Sequence, residues 1–245
     1  MHIDTSEKFA TLPNSPIVEA VIHWRVQPSK ELTREHLAAI TDTQSEHESE
    51  TIHELESRIE SDNESVSVEH KSRFDGFKIF FPSKIAPKFI AQFKLQELIF
   101  SQLAPYKDWD EFSTEALRCW DIYNSIVETN QVKIGVRFIS QMSLDEKAAS
   151  DWINISEDTL SDLGLKSSGF FRKDTFDWPD SPFQLCLISA TRESPRSLMV
   201  DIDVIMKDQG DVTDIVGTLL QMRFIKNKVF FAYMKEPIKT FGGGA

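Results

Sequence analysis

The sequence contains few cysteines and no long apolar run, and each shortage excludes a class of protein. Its 245 residues include two cysteines, Cys119 and Cys186, which form no CxxC or Cys/His pair with zinc-site spacing. We therefore expect buried thiols in a reducing compartment. No segment approaches the roughly 20 continuous apolar residues of a membrane span, and the first residues lack a signal-peptide pattern. These features predict a cytoplasmic protein that does not associate with membranes.

The motifs of common enzymes and nucleotide-binding proteins are also missing. The chain has no GxGxxG or GxxxxGK[ST] loop and no GxSxG elbow, so the standard phosphate-binding loops and serine nucleophiles are excluded. Neither cysteine has a histidine near it in the sequence. We expect no cofactor and no metal ion, and the sequence favours a protein that is not an enzyme.

Negative charge is concentrated in residues 41–64. The net charge of the chain is −12, and this segment contains nine acidic residues against one basic residue, Arg58. Such a run is typical of a solvated loop or helix face. The alternative is a surface that imitates a nucleic-acid backbone or binds a basic partner. We expect a mobile segment over 41–65, partly helical around 51–59. No basic stripe is visible elsewhere, which disfavours nucleic-acid binding.

Apolar periodicity predicts one α+β domain over residues 1–241, followed by a flexible Gly-rich tail, 242–245. Strands with alternating apolar residues are expected at IVEAVIHWRV, SVSVEHKSRF, FKIFFPS, FIAQFKLQELIFSQL, QVKIGVRFISQM, FQLCLISATR and SLMVDIDVIMK. A hairpin turn is expected at Asp75-Gly76. Helices are expected at 30–40, from an Asp108 cap to about Val127, and from an Asp211 cap to about Met234. A short helix is expected at 156–163.

The two halves of the chain follow the same order of elements: a strand, a connector, a meander and a closing helix. This order predicts a curved antiparallel sheet with the long helices on one face. A duplicated saddle of the TATA-binding-protein type is the first expectation. A helix-grip or ferredoxin-like arrangement is the alternative.

Several segments, taken in order, resemble those of one prokaryotic family. They are PIVEAVIHW, YKDWDEF, VKIGVRFIS, LMVDIDV and LLQMRFIKNKVFFAYMKEPI. They resemble a sporadically distributed family of similar length, and the resemblance covers nearly the whole chain. The family pattern has an Asn soon after its Arg-containing strand, where this chain has Ile139 and Ser140. The resemblance implies a single domain and, through the sporadic distribution, an association with defence gene sets. It implies no reaction.

Strand alternation predicts that three strands carry charge on one face. Because successive side chains of a strand point to opposite sides, seven charged or titratable residues would converge if these strands share a sheet. We name this set the polar sheet face: Glu19, His23, Arg25, Lys133, Arg137, Asp201 and Asp203. One interpretation is a solvated face with weak ion pairs, such as Glu19 with Arg137. The functional hypothesis is a surface that binds a partner.

Two further patterns suggest ligand sites, although each has a simpler interpretation. Asp201 and Asp203 could hold Mg²⁺ together with Glu19, but alternating strands produce such spacing freely. His47 and His53 lie in the acidic segment, but their spacing matches no helical ligand pair.

Three basic residues and an asparagine also cluster in the last predicted helix, at Arg223, Lys226, Asn227 and Lys228. Interaction with the helix dipole is the simpler explanation, and recognition of a phosphate or an acidic partner is the alternative.

The sequence therefore predicts first a non-catalytic interaction module that acts with a protein partner, in a prokaryotic defence system. The second hypothesis is a metal-dependent enzyme that acts on nucleotides or nucleic acid through the Asp201/Asp203 face.

Overall fold

The computed structural model is an α+β fold built on a ten-stranded antiparallel sheet. It describes residues 3–61, 66–129, 131–145, 147–155 and 169–243. The strands are β1 (Ile17–Val26), β2 (Glu48–Ser61), β3 (Val66–Phe81), β4 (Phe89–Lys94), β5 (Glu97–Leu103), β6 (Gln131–Ser143), β7 (Phe171–Asp177), β8 (Phe183–Glu193), β9 (Arg196–Met206) and β10 (Gly210–Asp211). The α-helices within these residues are α1 (Arg34–Thr43), α2 (Trp109–Val127), α3 (Ile215–Tyr233) and α4 (Pro237–Phe241). None of them is long and apolar enough to cross a membrane.

The sheet is centred on the pair formed by β1 and β6. The strand order is β2-β3-β4-β5-β1-β6-β9-β8-β7, and β10 adds a short pairing to β6. All of these pairings are antiparallel. In the central pair, Ile22 lies opposite Val136 and Val21 lies opposite Arg137. Strands from the first half of the chain therefore lie on one side of this pair, and strands from the second half lie on the other.

Alternation along β1 and β6 separates a buried row from a half-buried row. Ile22 and Trp24 are fully buried, as are Ile134 and Val136 opposite them. These side chains form part of one continuous apolar core. Burial of each large aliphatic or aromatic side chain contributes about 1.5–3 kcal/mol, so this row fixes which face of each strand points inward.

Individual side-chain contacts connect α2 and α3 with residues of the buried row. The ring of Trp120 in α2 stacks on Trp24 with a centroid distance of 5.5 Å. Tyr123 in the same helix donates a hydrogen bond from its hydroxyl to the carbonyl of Lys94 at 2.7 Å. In α3, Lys226 lies over the ring of Phe138. The predicted α2, with its Asp108 cap, matches the structure.

Residues 48–61 of the acidic segment form β2, so the helix expected around residues 51–59 is wrong. β2 pairs with β3 along its whole length, and this register sets Glu54 opposite Arg73, whose side chains contact at 3.5 Å. Opposite charges on a neighbouring strand favour pairing. The residue pattern of one segment does not show which strand will pair with it, so the strand could not be predicted from that segment alone.

The hairpin turn expected at Asp75-Gly76 is also wrong, because β3 runs through it. At Gly76 an added Cβ would lie 2.2 Å from the carbonyl oxygen of Phe93. Glycine is therefore needed there for close approach of the β4 backbone and not for a turn.

The β2–β3 hairpin extends well beyond the rest of the sheet. β4 pairs with β3 only between Gly76 and Phe81, whereas β2 stays paired with β3 as far as Ser61. The nine residues of β2 from His53 to Ser61 form an arm roughly 30 Å long at about 3.3 Å per residue.

Two other expectations have mixed outcomes. The helix expected at 156–163 lies outside the described residues. Strand β7 is not among the strands predicted from the sequence. Its FRKDTFD sequence is charged and mostly exposed, as suits an edge strand of the sheet.

Helix α3 begins one turn later than the sequence pattern predicted. Asp211 lies in β10, opposite Gln131, and Asp214 occupies the N-cap. Its carboxylate accepts a hydrogen bond from the backbone N–H of Gly217 at 2.8 Å. The predicted Asp211 cap is therefore wrong, and Asp214 satisfies the free N–H groups of the first turn.

Asp214→Ala should lower the free energy of unfolding by about 1 kcal/mol, because it removes the N-cap hydrogen bond. Asp211→Ala is the matched control and should change it by less than about 0.5 kcal/mol. Urea denaturation of both variants measures the difference. A larger loss for Asp211→Ala would contradict this assignment of the cap.

Candidate functional site

The polar sheet face lies on three neighbouring strands at the centre of the sheet. β1 contributes Glu19, His23 and Arg25, while β6 and β9 contribute the other four members. Within this face Arg137 lies between Val21 on β1 and Asp203 on β9 in the strand register.

The strongest contact of the face is an ion pair between Arg137 and Asp201. Nε of Arg137 donates to both carboxylate oxygens of Asp201, at 2.9 and 3.1 Å, and Nη2 donates to Oδ2 at 2.6 Å. The Asp201 side chain is 3% exposed, against 43% for Arg137. The hydrogen bond to Asp201 raises the pKa of Arg137. Arg137 thus pairs with Asp201 instead of the suggested Glu19, whose charge acts on it only at longer range.

Asp203 lies directly opposite Arg137 but is not its hydrogen-bond partner. Its Oδ1 is buried and accepts no hydrogen bond from the residues that the structure describes. Burial raises the pKa of this carboxyl from 3.8 to about 6, although the charge of Arg137 acts in the opposite direction. The centre of the face therefore holds a carboxylate with an unused acceptor, which costs stability when it is charged.

His23 occupies space that only a glycine on the neighbouring strand can leave. Gly135 lies opposite His23, and a Cβ added to Gly135 would lie 1.8 Å from Nε2 of the imidazole. Burial, with the nearby charges of Arg25, Arg137 and Lys133, lowers the pKa of His23 to about 4. Its Nδ1 is 3.8 Å from Glu97, and this contact is not an ion pair at neutral pH because the ring is uncharged.

The remaining basic residues of the face have partners nearer its edge. Arg25 approaches Glu97 at 3.7 Å with a side chain that is 65% exposed. Lys133 donates a hydrogen bond to the carbonyl of Lys207 at 2.7 Å. Sequence reasoning missed Glu97, because its position opposite Arg25 follows from the β1–β5 register. It also missed Gly135, whose role depends on the β1–β6 register.

A cavity of about 700 Å³ adjoins the face at its Arg25 end. Arg25 and Glu97 belong both to the edge of the face and to the cavity wall. Lys94 in the same wall forms an ion pair with Asp75 at 2.8 Å. The lining carries charges of both signs.

The other ligand patterns from the sequence do not assemble into metal sites in the described part of the chain. No group of three or more His, Cys, Asp or Glu side chains is placed there to hold a metal ion. His47 packs edge-on against the ring of Phe81 at a centroid distance of 4.5 Å, while His53 is exposed on β2.

The helix-dipole explanation for the basic residues of α3 is wrong. The last turn of this helix contains no basic residue. Arg223, Lys226 and Lys228 lie nearer its middle, and Lys228 forms an ion pair with Glu7 at 2.9 Å. The dipole acts within the terminal turn, so it does not account for these positions.

The strand register arranges the polar sheet face as a centre and two edges. Arg137, Asp201 and Asp203 form the centre, with His23 beside them. Arg25 and Lys133 lie toward one edge, and Glu19, opposite Ile139 of β6, lies toward the other. Comparison with known proteins adds no assignment: no protein-family model, curated protein or solved structure matches the chain.

Gly135→Ala should destabilise the protein by about 1–3 kcal/mol, because the added methyl group overlaps the His23 ring and displaces it. The double variant with His23→Ala should lose at least about 1 kcal/mol less unfolding free energy than the sum of the losses in the two single variants. Chemical denaturation of the four proteins of this cycle gives the coupling energy. Additive effects would show that the imidazole and Gly135 do not compete for space.

Asp203→Asn should stabilise the protein at neutral pH but not in acid. The pKa of Asp203 is raised in the folded state, so stability is lost as the pH rises from 3.8 to about 6. Removing the charge should restore roughly 2–3 kcal/mol above pH 6 and nothing near pH 4. Urea denaturation from pH 4 to 8 measures this, with the exposed Asp208→Asn as control. A difference from wild type that does not vary with pH would contradict the burial of this carboxylate.

Proposed function

We propose that this chain is a non-catalytic interaction module that binds a protein partner through the polar sheet face. The unused acceptor of Asp203 is the observation that carries the proposal. A buried polar atom without a partner is uncommon in a folded protein and calls for an explanation. A hydrogen-bond donor from a partner, bound to the carboxylate of Asp203, would offset its desolvation.

Aliphatic side chains around the charged centre support a protein as the partner. Half-buried members of the same face are Val21 on β1, Ile139 on β6, Ile188 on β8 and Ile205 on β9. Protein interfaces combine apolar area with a few placed polar groups. The acidic residues Glu19, Asp201 and Asp203 disfavour a nucleic-acid backbone, which is bound mainly by Lys and Arg.

The pairing of Asp201 favours this module over a metal-dependent enzyme. Arg137 contacts both carboxylate oxygens of Asp201, so a cation held by Asp201 and Asp203 would have to displace the guanidinium. Removing one partner of a buried pair costs about 3–5 kcal/mol.

The finer architecture that we propose is a duplicated saddle with its long helices on one face. The strand order supports it: β1 and β6 each begin a half, pair with each other, and each pair with the last long strand of their own half. The contacts of Trp120 with Trp24 and of Lys226 with Phe138 both involve the buried row. The polar sheet face would then be the open side of the saddle.

We further propose that the partner is encoded beside this protein in a prokaryotic defence system. The support for this step is the sequence resemblance to a sporadically distributed family, and no structural observation enters it.

Val21→Lys tests the face, because it adds a charge beside Arg137 at the centre of the proposed interface. Val216→Lys, at an exposed position of α3, is the matched control. We expect the wild type and Val216→Lys to capture the same protein from the native host. With purified components, Val21→Lys should weaken that complex at least about tenfold, or 1.4 kcal/mol.

Hydrogen exchange on the purified complex should show added protection in β1, β6 and β9. Thermal denaturation of the free variants confirms that both are folded. Equal binding by Val21→Lys, or protection confined to other elements, would overturn the proposal. Light scattering distinguishes a second copy of the chain as the occupant, which would also contradict a different protein partner.

A further inference from the structure

A second cavity lies between the N-terminal segment and α3. Its volume is about 190 Å³. The segment that closes it is held at both ends, since Glu7 pairs with Lys228 at 2.9 Å and the N–H of Asn14 donates to the carbonyl of Phe241 at 3.0 Å. Six aromatic residues contribute to its wall: Phe9, Tyr106, Trp109, Phe138, Phe230 and Phe231.

Lys226 of α3 lines this cavity and is 8% exposed. Its Nζ lies 4.0 Å from the centroid of the Phe138 ring. Among the residues described, no carboxylate lies within ion-pair distance of Nζ and no acceptor hydrogen-bonds to it. The cation–π contact contributes about 2 kcal/mol when desolvated, less than the several kcal/mol that burying an ammonium group costs. Burial, reinforced by Arg223, lowers the pKa of Lys226 to about 7.

The charges around the cavity are mostly positive, although the chain as a whole is acidic. Arg223 lies three residues before Lys226 in α3, with its guanidinium carbon 5.4 Å from the ring centroid of Trp109, and Lys107 also lines the cavity. The one acidic residue in the lining is Asp108, and its carboxylate accepts the N-cap hydrogen bond of α2 from Glu111 at 2.8 Å. Burial raises the pKa of Tyr106, so the phenol stays neutral.

We propose that this cavity binds a small anion with an aromatic body, whose carboxylate or phosphate oxygens contact Lys226 and Arg223. The anion supplies the counter-charge that is missing beside the ammonium group of Lys226. The ring of the anion packs against the aromatic side chains of the wall. The volume is below the 300–1,000 Å³ typical of sites for drug-sized ligands, which limits the ligand to about one ring. This site is independent of the polar sheet face and of the function proposed for it.

Titration of the full chain, labelled with ¹³C at lysine Cε, tests the site by NMR. Benzoate and phenyl phosphate are the probes for the two head groups, and inorganic phosphate is the probe for a head group without a ring. Binding of either aromatic anion should raise the pKa of Lys226 from about 7 to roughly 8–10, because an opposite charge within contact distance favours the ammonium form. The exposed Lys228 should show no saturable change.

The better aromatic probe should also raise the melting temperature of the wild type and of Lys235→Met, an exposed position outside the cavity lining, but not of Lys226→Met. Lys226→Met should fold, because it replaces an unpaired buried ammonium group with an apolar side chain of similar length. If that variant does not fold, the titration of the wild-type lysine still decides. An unchanged pKa of Lys226 with millimolar aromatic anion would overturn the proposal. So would a response to inorganic phosphate alone, or an equal thermal shift in Lys226→Met.

Discussion

The antiparallel pairing of β1 with β6 is the constraint on which the rest of the structure depends. It joins strands from the two halves of the chain into one sheet and sets the register of both faces. A slip of β6 by one residue would carry Val136 out of the core and bury Arg137 in its place. Burial of the apolar row therefore determines indirectly that Arg137 reaches Asp201 and that His23 lies over Gly135.

The centre of the polar sheet face holds two groups whose effects on stability oppose each other as the pH changes. The pKa of His23 is lowered to about 4. The stability that its neutral imidazole contributes to the folded state is therefore lost as the pH falls from 6.5 through 4. The pKa of Asp203 is raised to about 6, so its cost is relieved as the pH falls from 6 toward 3.8. The two changes partly cancel over this range. Groups whose charged forms are disfavoured by burial are typical of functional surfaces, and an apolar face would be more stable.

Alternation along single strands could be predicted from the sequence, but the partners of those strands could not. The pattern of β1, β6 and β9 identifies which residues share a face, because side chains alternate regardless of neighbours. The choice of Asp201 over Glu19 as partner of Arg137 depends on strand order, which brings β9 beside β6. Prediction from the sequence also failed where a neighbouring strand overrides the conformational preference of the segment itself. The acidic β2 is a strand because β3 pairs with it, and Gly76 is required by the approach of β4 instead of a turn.

Neighbouring residues of β6 connect the two candidate sites. Arg137 points to the polar sheet face and holds Asp201, while Phe138 points to the opposite side and lies under the ammonium group of Lys226. Each site contains a cation, but the group that faces the cation differs. Arg137 has a buried carboxylate within hydrogen-bond distance, whereas Lys226 has an aromatic ring. The partner that we propose for the first site would therefore satisfy the remaining acceptor of Asp203, and the ligand that we propose for the second would bring its own negative charge.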